Sequence, residues 1–565
     1  MKKEFWYSSA IIALLSVVSI IGLLFHSGQP TTFDARAHIT SIAQFSVALS
    51  QGNFPVVWLD KVANYGAPAG LYVQQLPIYI GGLINILLHN PYASYVTVLC
   101  ISIFLSGVLF YKFLRVYVFP LPAMLGVILL TFAPFRIIDI YVRGDLPEIF
   151  SSIFLPLILL CIYGFVSNKK KWAYFGLIFA ITGLILSHPM AFVIYSFLFI
   201  LYFLFLLFKQ FQSFRFFLQK EGITYIVYFV LAIGIGMGIA SYYLLPLFIE
   251  QKYLLYVKLP THFDKNQILG WANFFSPFWY RNSSQFIKVG LLEMVGVILL
   301  LLYELYQLQK RKFIFGFAEF ILCVSFIYIF FLTKISYWIY EHTILAQVQY
   351  GWRMLAGFIF LPATIFALLL QKLNKKWVLL LFILLIITFR IPQLYGKNFI
   401  NHPSSYYYFT PSNVYAPYMN TVWIQKPEDY PSKSYKAEIL EHGNGAIVSS
   451  HVLNAKRIYV IDAKEKLHMI DYTFYFPGWT VYIDNQPTTI EFQNYLYKGV
   501  ITYYVPQGRH VVTVILKDTM VRRIGKVISV GFLLFFILLI ILRNRLFWVK
   551  SRKGKETLLF LRVRR

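Results

Sequence analysis

An aspartate and a histidine stand four residues apart shortly after the first long apolar run of the sequence. Asp34 and His38 lie in Thr-Phe-Asp-Ala-Arg-Ala-His, residues 32–38, where membrane is expected to give way to water. On a helix, this spacing places both side chains on one face. A carboxylate and an imidazole on one face can transfer protons or share a metal ion. Two ligands without a third are weak evidence for a metal, and a helix cap explains Asp34 equally well.

Three further groups of ionisable residues fall at the expected ends of apolar segments. Because charge near a bilayer is costly, they are candidates for function, and ion pairs within the fold are the alternative. The groups are Arg136, Asp139, Arg143, Asp145 and Glu148; His188; and Glu341, His342 and Arg353.

The guanidinium groups among these candidates suit bidentate phosphate binding. Arg143 and Arg136 would lie at headgroup level, and an ion pair with Asp139 or Glu148 explains them nearly as well. Arg353 is a second candidate for a phosphate-binding cation. The acids Asp145 and Glu148 also fit the start of a helix, whose dipole they complement, and His188 also fits the polar tip of a turn.

The composition places these residues in a polytopic membrane protein. Of 565 residues, 58% are hydrophobic and only 13% are charged, so the apolar surface exceeds what one soluble core can bury. The net charge of +27 comes from short basic clusters between apolar runs, which is typical of cytoplasmic loops rather than of nucleic-acid binding. The three cysteines fall inside apolar segments, which excludes a disulfide in the soluble parts and a spaced metal cluster.

The apolar runs predict about twelve crossings of the membrane. Each run approaches the length needed to span a bilayer, and with the N-terminus inside, every basic cluster falls on the cytoplasmic side. The predicted crossings are residues 8–26, 93–115, 120–135, 148–167, 172–187, 190–208, 223–246, 288–308, 312–333, 352–371, 376–393 and 523–543. Residues 71–90 are also apolar, but a crossing there would invert all later clusters, so this stretch is predicted to be interfacial or re-entrant.

The chain therefore divides into three predicted parts. Residues 1–393 form the membrane domain, with a long first outer loop at 27–92. Residues 394–520 show period-two alternation and turn signals, which predict an extracytoplasmic β-sandwich. Residues 521–565 form the last crossing and a basic cytoplasmic tail.

Several motifs, in this order along the chain, resemble the bacterial membrane proteins labelled 6-pyruvoyl-tetrahydropterin synthase-related. The residues near the C-terminus are also similar to YfhO-type membrane proteins. The motifs are Asp34-Ala-Arg-Ala-His38, Phe45, Gly52-Asn-Phe-Pro55, Trp58, Tyr65-Gly-Ala-Pro68, Arg143-Gly-Asp-Leu-Pro-Glu148, Ser187-His188, Gln349-Tyr-Gly-Trp-Arg353, Tyr475-Phe-Pro-Gly-Trp479, Pro506-Gln-Gly508 and Arg522-Arg523-Ile-Gly525.

This resemblance implies a GT-C glycosyltransferase fold and an inverting transfer of sugar from a polyprenyl-phosphate donor to a cell-envelope acceptor. It implies that Asp34, assisted by His38, is catalytic. The substrate would be bound by Arg143, Arg353, Glu148, His188 and Arg136. No metal-ligating residue is assigned, and a divalent cation, Mg²⁺ or Mn²⁺, remains open.

The sequence departs from the family pattern at two places. Where related proteins often have a second acid in the first outer loop, this chain has Arg36, so a second carboxylate would come from Asp60, Asp145 or Glu148. The Phe-Pro that usually precedes the Trp-Arg pair is Tyr350-Gly351. Two other classes of function stay open: a flippase or transporter of lipid-linked glycan, and a membrane protein that binds glycan without chemistry.

Overall fold

The computed structural model describes residues 2–542, apart from residues 27, 63–64, 256–263, 265–266, 277–286, 313, 374–375, 410–419, 425–429, 432 and 442. Helices form most of the chain before residue 410, and strands dominate from residue 437 to 516. A final helix follows the strands. The predicted fold class, a mainly helical membrane protein with a β-domain before its last helix, is confirmed. Lys375 and the basic tail lie outside the described residues.

The helices alternate between long apolar segments and short pieces near their ends. In chain order they are α1 (Lys2–Ser19), α2 (Ile21–Leu24), α3 (Ala35–Ser50), α4 (Gln75–Leu88), α5 (Pro91–Leu114), α6 (Pro120–Thr131), α7 (Pro134–Ile138), α8 (Leu146–Ser151), α9 (Phe154–Val166), α10 (Lys171–Ser187), α11 (Pro189–Phe211), α12 (Lys220–Ile239), α13 (Ser241–Ile249), α14 (Trp271–Phe274), α15 (Leu291–Gln309), α16 (Phe317–Leu332), α17 (Tyr337–His342), α18 (Leu355–Phe358), α19 (Phe360–Leu373), α20 (Lys376–Phe389), α21 (Ser404–Phe409) and α22 (Met520–Ile541).

Among the described residues, seven helices are long and apolar enough to cross a membrane, or up to nine if each of two bent pairs is one span. Three shorter apolar helices, Gln75–Leu88, Lys171–Ser187 and Leu380–Gln393, add to these. The count of about twelve crossings stays a prediction. Helix α4 has 14 residues and is therefore about 21 Å long, less than the roughly 30 Å of a hydrocarbon core. Its length agrees with an interfacial or re-entrant stretch.

The β-domain consists of two antiparallel sheets. Its strands are β1 (Ala437–Ile439), β2 (Gly445–Leu453), β3 (Lys456–Ala463), β4 (Leu467–Phe474), β5 (Trp479–Ile483), β6 (Gln486–Thr488), β7 (Val500–Val505) and β8 (Gly508–Leu516). One sheet has the order β1-β4-β7 and the other β2-β3-β8-β5-β6. Residues of β3 alternate between buried and partly buried positions, as the period-two pattern predicts. The Tyr459 hydroxyl donates to Asp471 at 2.7 Å and links the two sheets.

A buried group of charges joins the β-domain to the loop between α3 and α4. We call Asp60, Lys436, Arg457 and Asp471 the junction cluster. Lys436 Nζ lies 3.0 Å from an oxygen of Asp60, and Arg457 donates to the same carboxylate. Arg457 also lies 3.8 Å from Asp471. The β-domain is thereby fixed against the loop that follows α3.

Candidate active site

Asp34 lies at the start of α3, and its backbone is held by the end of another segment. Its N–H donates to the carbonyl of Arg143 at 2.7 Å. Asp34 occupies the N-cap position, but its carboxylate makes no capping hydrogen bond. The hydroxyl of Thr32 instead accepts from the N–H of Ala35 at 3.2 Å. Asp34 therefore stands at the helix start, as the alternative explanation expects, but its side chain makes no capping hydrogen bond.

Arg143 is surrounded by carboxylates. Its guanidinium donates to Asp139, to Asp145 at 2.6 Å and to Glu148 at 2.8 Å. We call these four residues the Arg143 cluster. The ring of Trp352 lies 4.8 Å from the guanidinium carbon and covers it. The ion-pair alternative for Arg143 therefore describes its observed contacts, and its N–H donors are largely occupied.

Local backbone features bring the members of the Arg143 cluster together. Residues Asp139–Arg143 form a π-helical turn, a distortion often found at functional sites. Gly144 ends that turn with φ of 70°. Asp145 then caps α8 by accepting from the N–H of Glu148 at 3.1 Å. Three carboxylates within ten residues thus converge on one guanidinium because a turn separates two helix ends.

Two histidines flank Asp145. His38 Nε2 lies 4.0 Å from Asp145 Oδ1, and His188, when protonated in acid, also acts on the same carboxylate. Burial lowers the pKa of His38 and lowers that of His188 to about 4. Burial acts to raise the pKa of Asp145, but Arg143 and the two histidines outweigh it and lower this pKa to about 2. At neutral pH the imidazoles are neutral and Asp145 is ionised.

Asp34 differs from the other acids of this region. Its side chain is only partly buried, and within the described part of the chain it makes no hydrogen bond or ion pair. Burial, followed by the negative charge of Asp145, raises the pKa of Asp34. A carboxylate with a raised pKa is a stronger base, because its affinity for a proton is higher.

Arg353 stands near Asp34 and retains donor capacity. One N–H of its guanidinium donates weakly to the carbonyl of Val348 at 3.4 Å. Its Nε has no partner among the described residues. The guanidinium carbon lies 5.3 Å from the ring of Tyr350, and its charge lowers the proton affinity of Asp34. Arg353 is thus better placed than Arg143 to accept an anionic ligand.

The remaining candidates lie apart from this group. Arg136 is buried and donates to the hydroxyls of Ser152 at 3.0 Å and Ser106 at 3.4 Å. Within the described residues it pairs with neither Asp139 nor Glu148, contrary to the ion-pair alternative for Arg136. Glu341 and His342 are exposed on α17, and their hydrogen bonds to described residues lie within that helix.

The geometry also tests whether the site can hold a divalent cation. Asp145, Glu148 and His188 each have a ligand atom within 4.8 Å of the others. However, Asp145 and Glu148 hold Arg143, and His188 Nδ1 accepts from the N–H of Ala191 at 3.0 Å. A neutral imidazole whose Nδ1 accepts carries its hydrogen on Nε2 and cannot ligate there. In this arrangement His188 offers no ligand atom, whereas Oε1 of Glu148 has no partner among the described residues. A divalent cation at this site stays a prediction.

A family model described as 6-pyruvoyl-tetrahydropterin synthase related domain, membrane protein, matches residues 71–397, more than half of the chain. The chain belongs to this family of membrane proteins. Comparison with solved structures finds the oligosaccharyltransferase of Archaeoglobus fulgidus in the apo form, with 14% sequence identity and a TM-score of 0.41. The alignment covers 70% of this chain and 56% of that enzyme. Comparison with curated proteins finds no match.

Two contacts of this family member were not predicted from its sequence. Gly144 packs directly against Thr32 and Ala35, and the Tyr95 hydroxyl donates to the Gly144 carbonyl at 3.1 Å. A glycine before a helix that starts with proline signals a tight turn. No local pattern indicates which distant segment such a turn contacts.

Proposed function

We propose that this protein is a membrane glycosyltransferase of the GT-C type. It transfers a sugar from a polyprenyl-phosphate donor to a hydroxyl of a cell-envelope glycan, lipid or protein outside the cytoplasm. The observation that carries the proposal is the carboxylate of Asp34, which is unpaired within the described residues and lies near enough to Arg353 to be affected by its charge. Nε of Arg353 has no partner among those residues. A base next to an anion-binding group is what transfer from a phosphate-linked donor requires.

In the proposed reaction, Arg353 binds the phosphate of the donor, and the lipid tail lies between the membrane helices. Asp34 accepts the proton of the acceptor hydroxyl as the hydroxyl oxygen forms a bond to the anomeric carbon. The bond from that carbon to the phosphate oxygen breaks, and polyprenyl phosphate leaves with the electron pair. One displacement inverts the configuration at the sugar carbon.

The Arg143 cluster has a supporting part in this proposal. The ionised carboxylate of Asp145 lies near Asp34 and helps to raise its pKa, which makes Asp34 a stronger base. His38 is neutral at physiological pH and lies on the same helix face, where it orients Asp34 or assists the leaving phosphate. Arg143, Glu148, His188 and Arg136 are predicted to shape the substrate site around these groups.

The activity is tested with purified protein in liposomes, a panel of polyprenyl-phosphate sugars and cell-envelope glycan acceptors. Formation of a glycosylated product supports the enzyme. Movement of the donor across the bilayer without product indicates a flippase, and retention of the donor alone indicates a glycan-binding protein. Either of the last two results contradicts the proposal.

The phosphate-binding role of Arg353 is tested by Arg353→Met. Loss of a charge-assisted contact made to the donor in both ground and transition states should raise the donor KM at least about tenfold. Arg509→Met removes the same charge from an exposed position in the β-domain and serves as the control, with KM unchanged. An unchanged donor KM in Arg353→Met would exclude this role.

A further inference from the structure

We propose that the turn Arg143-Gly144-Asp145 is the template that positions Asp34, and that Gly144 is a positioning residue for it. The inference rests on the proposed role of Asp34 as the base. It concerns the backbone of the turn, which acts in addition to the side chains of Arg143 and Asp145. Three contacts carry it.

The first contact is a pair of backbone hydrogen bonds between the turn and the segment before α3. The N–H of Phe33 donates to the carbonyl of Val142 at 3.1 Å, and the N–H of Asp34 donates to the carbonyl of Arg143 at 2.7 Å. Successive N–H groups on one segment thus meet successive carbonyls on the other. The backbone of Asp34 is thereby fixed by a segment more than one hundred residues away in sequence.

The second contact is steric and depends on the missing side chain of Gly144. A Cβ atom there would lie 2.6 Å from Ala35 Cβ, 2.7 Å from Thr32 Oγ1 and 2.8 Å from Ala35 N. All three distances are shorter than van der Waals contact, and one of the atoms belongs to the backbone. A side chain at Gly144 would therefore push away the first turn of α3, on which Asp34 sits. The φ of 70° also favours glycine.

The third contact holds the turn itself in place. The hydroxyl of Tyr95 on α5 donates to the carbonyl of Gly144 at 3.1 Å, and Tyr95 is buried. Consecutive carbonyls of Val142, Arg143 and Gly144 therefore all accept hydrogen bonds, two from the Asp34 segment and one from a long membrane helix. A displacement of this turn would move Asp34 and its electrostatic neighbours together.

The test is the kinetics of Gly144→Ala in the full-length protein. Because a misplacement of about 1 Å can cost on the order of a hundredfold in rate, we expect kcat to fall at least about tenfold with the donor KM unchanged. The matched control is Gly52→Ala. Gly52 has φ of 76°, lies just beyond the other end of α3, and has no atom within 4 Å of an added Cβ. This control should keep the wild-type kcat.

A double-mutant cycle separates positioning of Asp34 from a general structural effect. If Gly144 acts through Asp34, Gly144→Ala should cost little in the residual activity of Asp34→Asn. Tyr95→Phe should lower kcat in the same way by a smaller factor, and it keeps the test valid if Gly144→Ala does not fold. Wild-type kcat in both single variants, or an equal loss with and without Asp34, would overturn the inference. Full transfer by Asp34→Asn would instead overturn the proposed function.

Discussion

Two buried groups of charges in this protein have opposite character. In the junction cluster, two carboxylates face two cations, and each cation lies within ion-pair distance of a carboxylate. In the Arg143 cluster, three carboxylates share one guanidinium. Asp34 adds a fourth carboxyl group nearby, and Arg353 adds a cation whose Nε has no partner among the described residues. The first group balances its charges and joins two parts of the fold, whereas the second has more carboxyl groups than cations.

The pKa directions of one acid from each region show the same difference. Burial acts to raise the pKa of Asp60, but Lys436 and Arg457 outweigh it, and this pKa is lowered. Burial and Asp145 raise the pKa of Asp34. The fold therefore stabilises the charge of Asp60 and destabilises the charge of Asp34. A pKa shift that lowers the stability of the fold is typical of functional sites.

The largest predicted effect is loss of a central arginine from either region. Arg143→Met leaves three buried carboxylates without their cation. Arg457→Met removes one cation from two carboxylates, those of Asp60 and Asp471. Removing one partner of a buried ion pair costs about 3–5 kcal/mol of stability. We expect Arg143→Met to lower the free energy of unfolding more than Arg457→Met does. Thermal or SDS unfolding in detergent micelles measures both variants. The comparison fails if Arg143→Met is as stable as the exposed control Arg509→Met.

Smaller effects on stability are expected for Asp60→Asn and Asp34→Asn, and the two effects should have opposite signs. Asp60→Asn should lower stability at neutral pH, because the ionised carboxylate of Asp60 is stabilised by its cations. The contribution of Asp60 is present above its ordinary pKa and is lost as pH falls through its lowered folded pKa. Asp34→Asn should raise stability by on the order of 1 kcal/mol, as removal of strained functional groups often does.

The pH dependence of Asp34→Asn separates this explanation from a change in packing. Since the folded pKa of Asp34 is raised, the cost of its charge appears as pH rises through the ordinary pKa toward the folded value. The stability gain of Asp34→Asn should therefore be present at neutral pH and vanish in acid, below the ordinary pKa. Unfolding curves at several pH values measure this. A gain that is equal at all pH values would contradict the electrostatic account.

The smallest effect is predicted for a charged pair outside both regions. His510 Nδ1 lies 2.6 Å from Asp484 on the exposed surface of the β-domain, where solvent weakens such pairs. This hydrogen bond raises the pKa of His510, so any contribution is present below the ordinary pKa of histidine and lost as pH rises through the folded value. We expect the melting temperature of Asp484→Asn to match the wild type. A clear decrease in the melting temperature would show that an exposed charge pair stabilises the fold as the buried pairs do.

The sequence predicted those features that depend on composition and local spacing. The membrane helices, the β-domain and the proximity of Asp34 to His38 on one face followed from apolar runs and helical or strand periods. The environment of Arg143 was harder to predict, because residues 139, 145 and 148 converge only through a π-helical turn and a left-handed glycine. The same limit applies to the junction cluster, because Asp60 is almost 400 residues away from Arg457 and meets it only through the tertiary fold.

Which arginine can bind the donor phosphate also depended on the fold. The sequence predicted Arg143 as a phosphate-binding residue and Arg353 as a second candidate. The structure gives Arg143 three carboxylate partners, whereas Nε of Arg353 has none among the described residues. Which of two arginines has unused donors is set by neighbours from other segments, and no periodicity in one sequence records it.

The central claim is that Asp34 is the base of a sugar transfer, and Asp34→Asn tests it most directly. The measurement is the rate of product formation in proteoliposomes from a polyprenyl-phosphate sugar that the wild type uses, together with donor binding. We predict at least about a hundredfold loss of transfer, as for removal of a general base, with donor binding retained. Asp484→Asn, the same change on the β-domain surface, should transfer at the wild-type rate. Full transfer by Asp34→Asn would contradict the account.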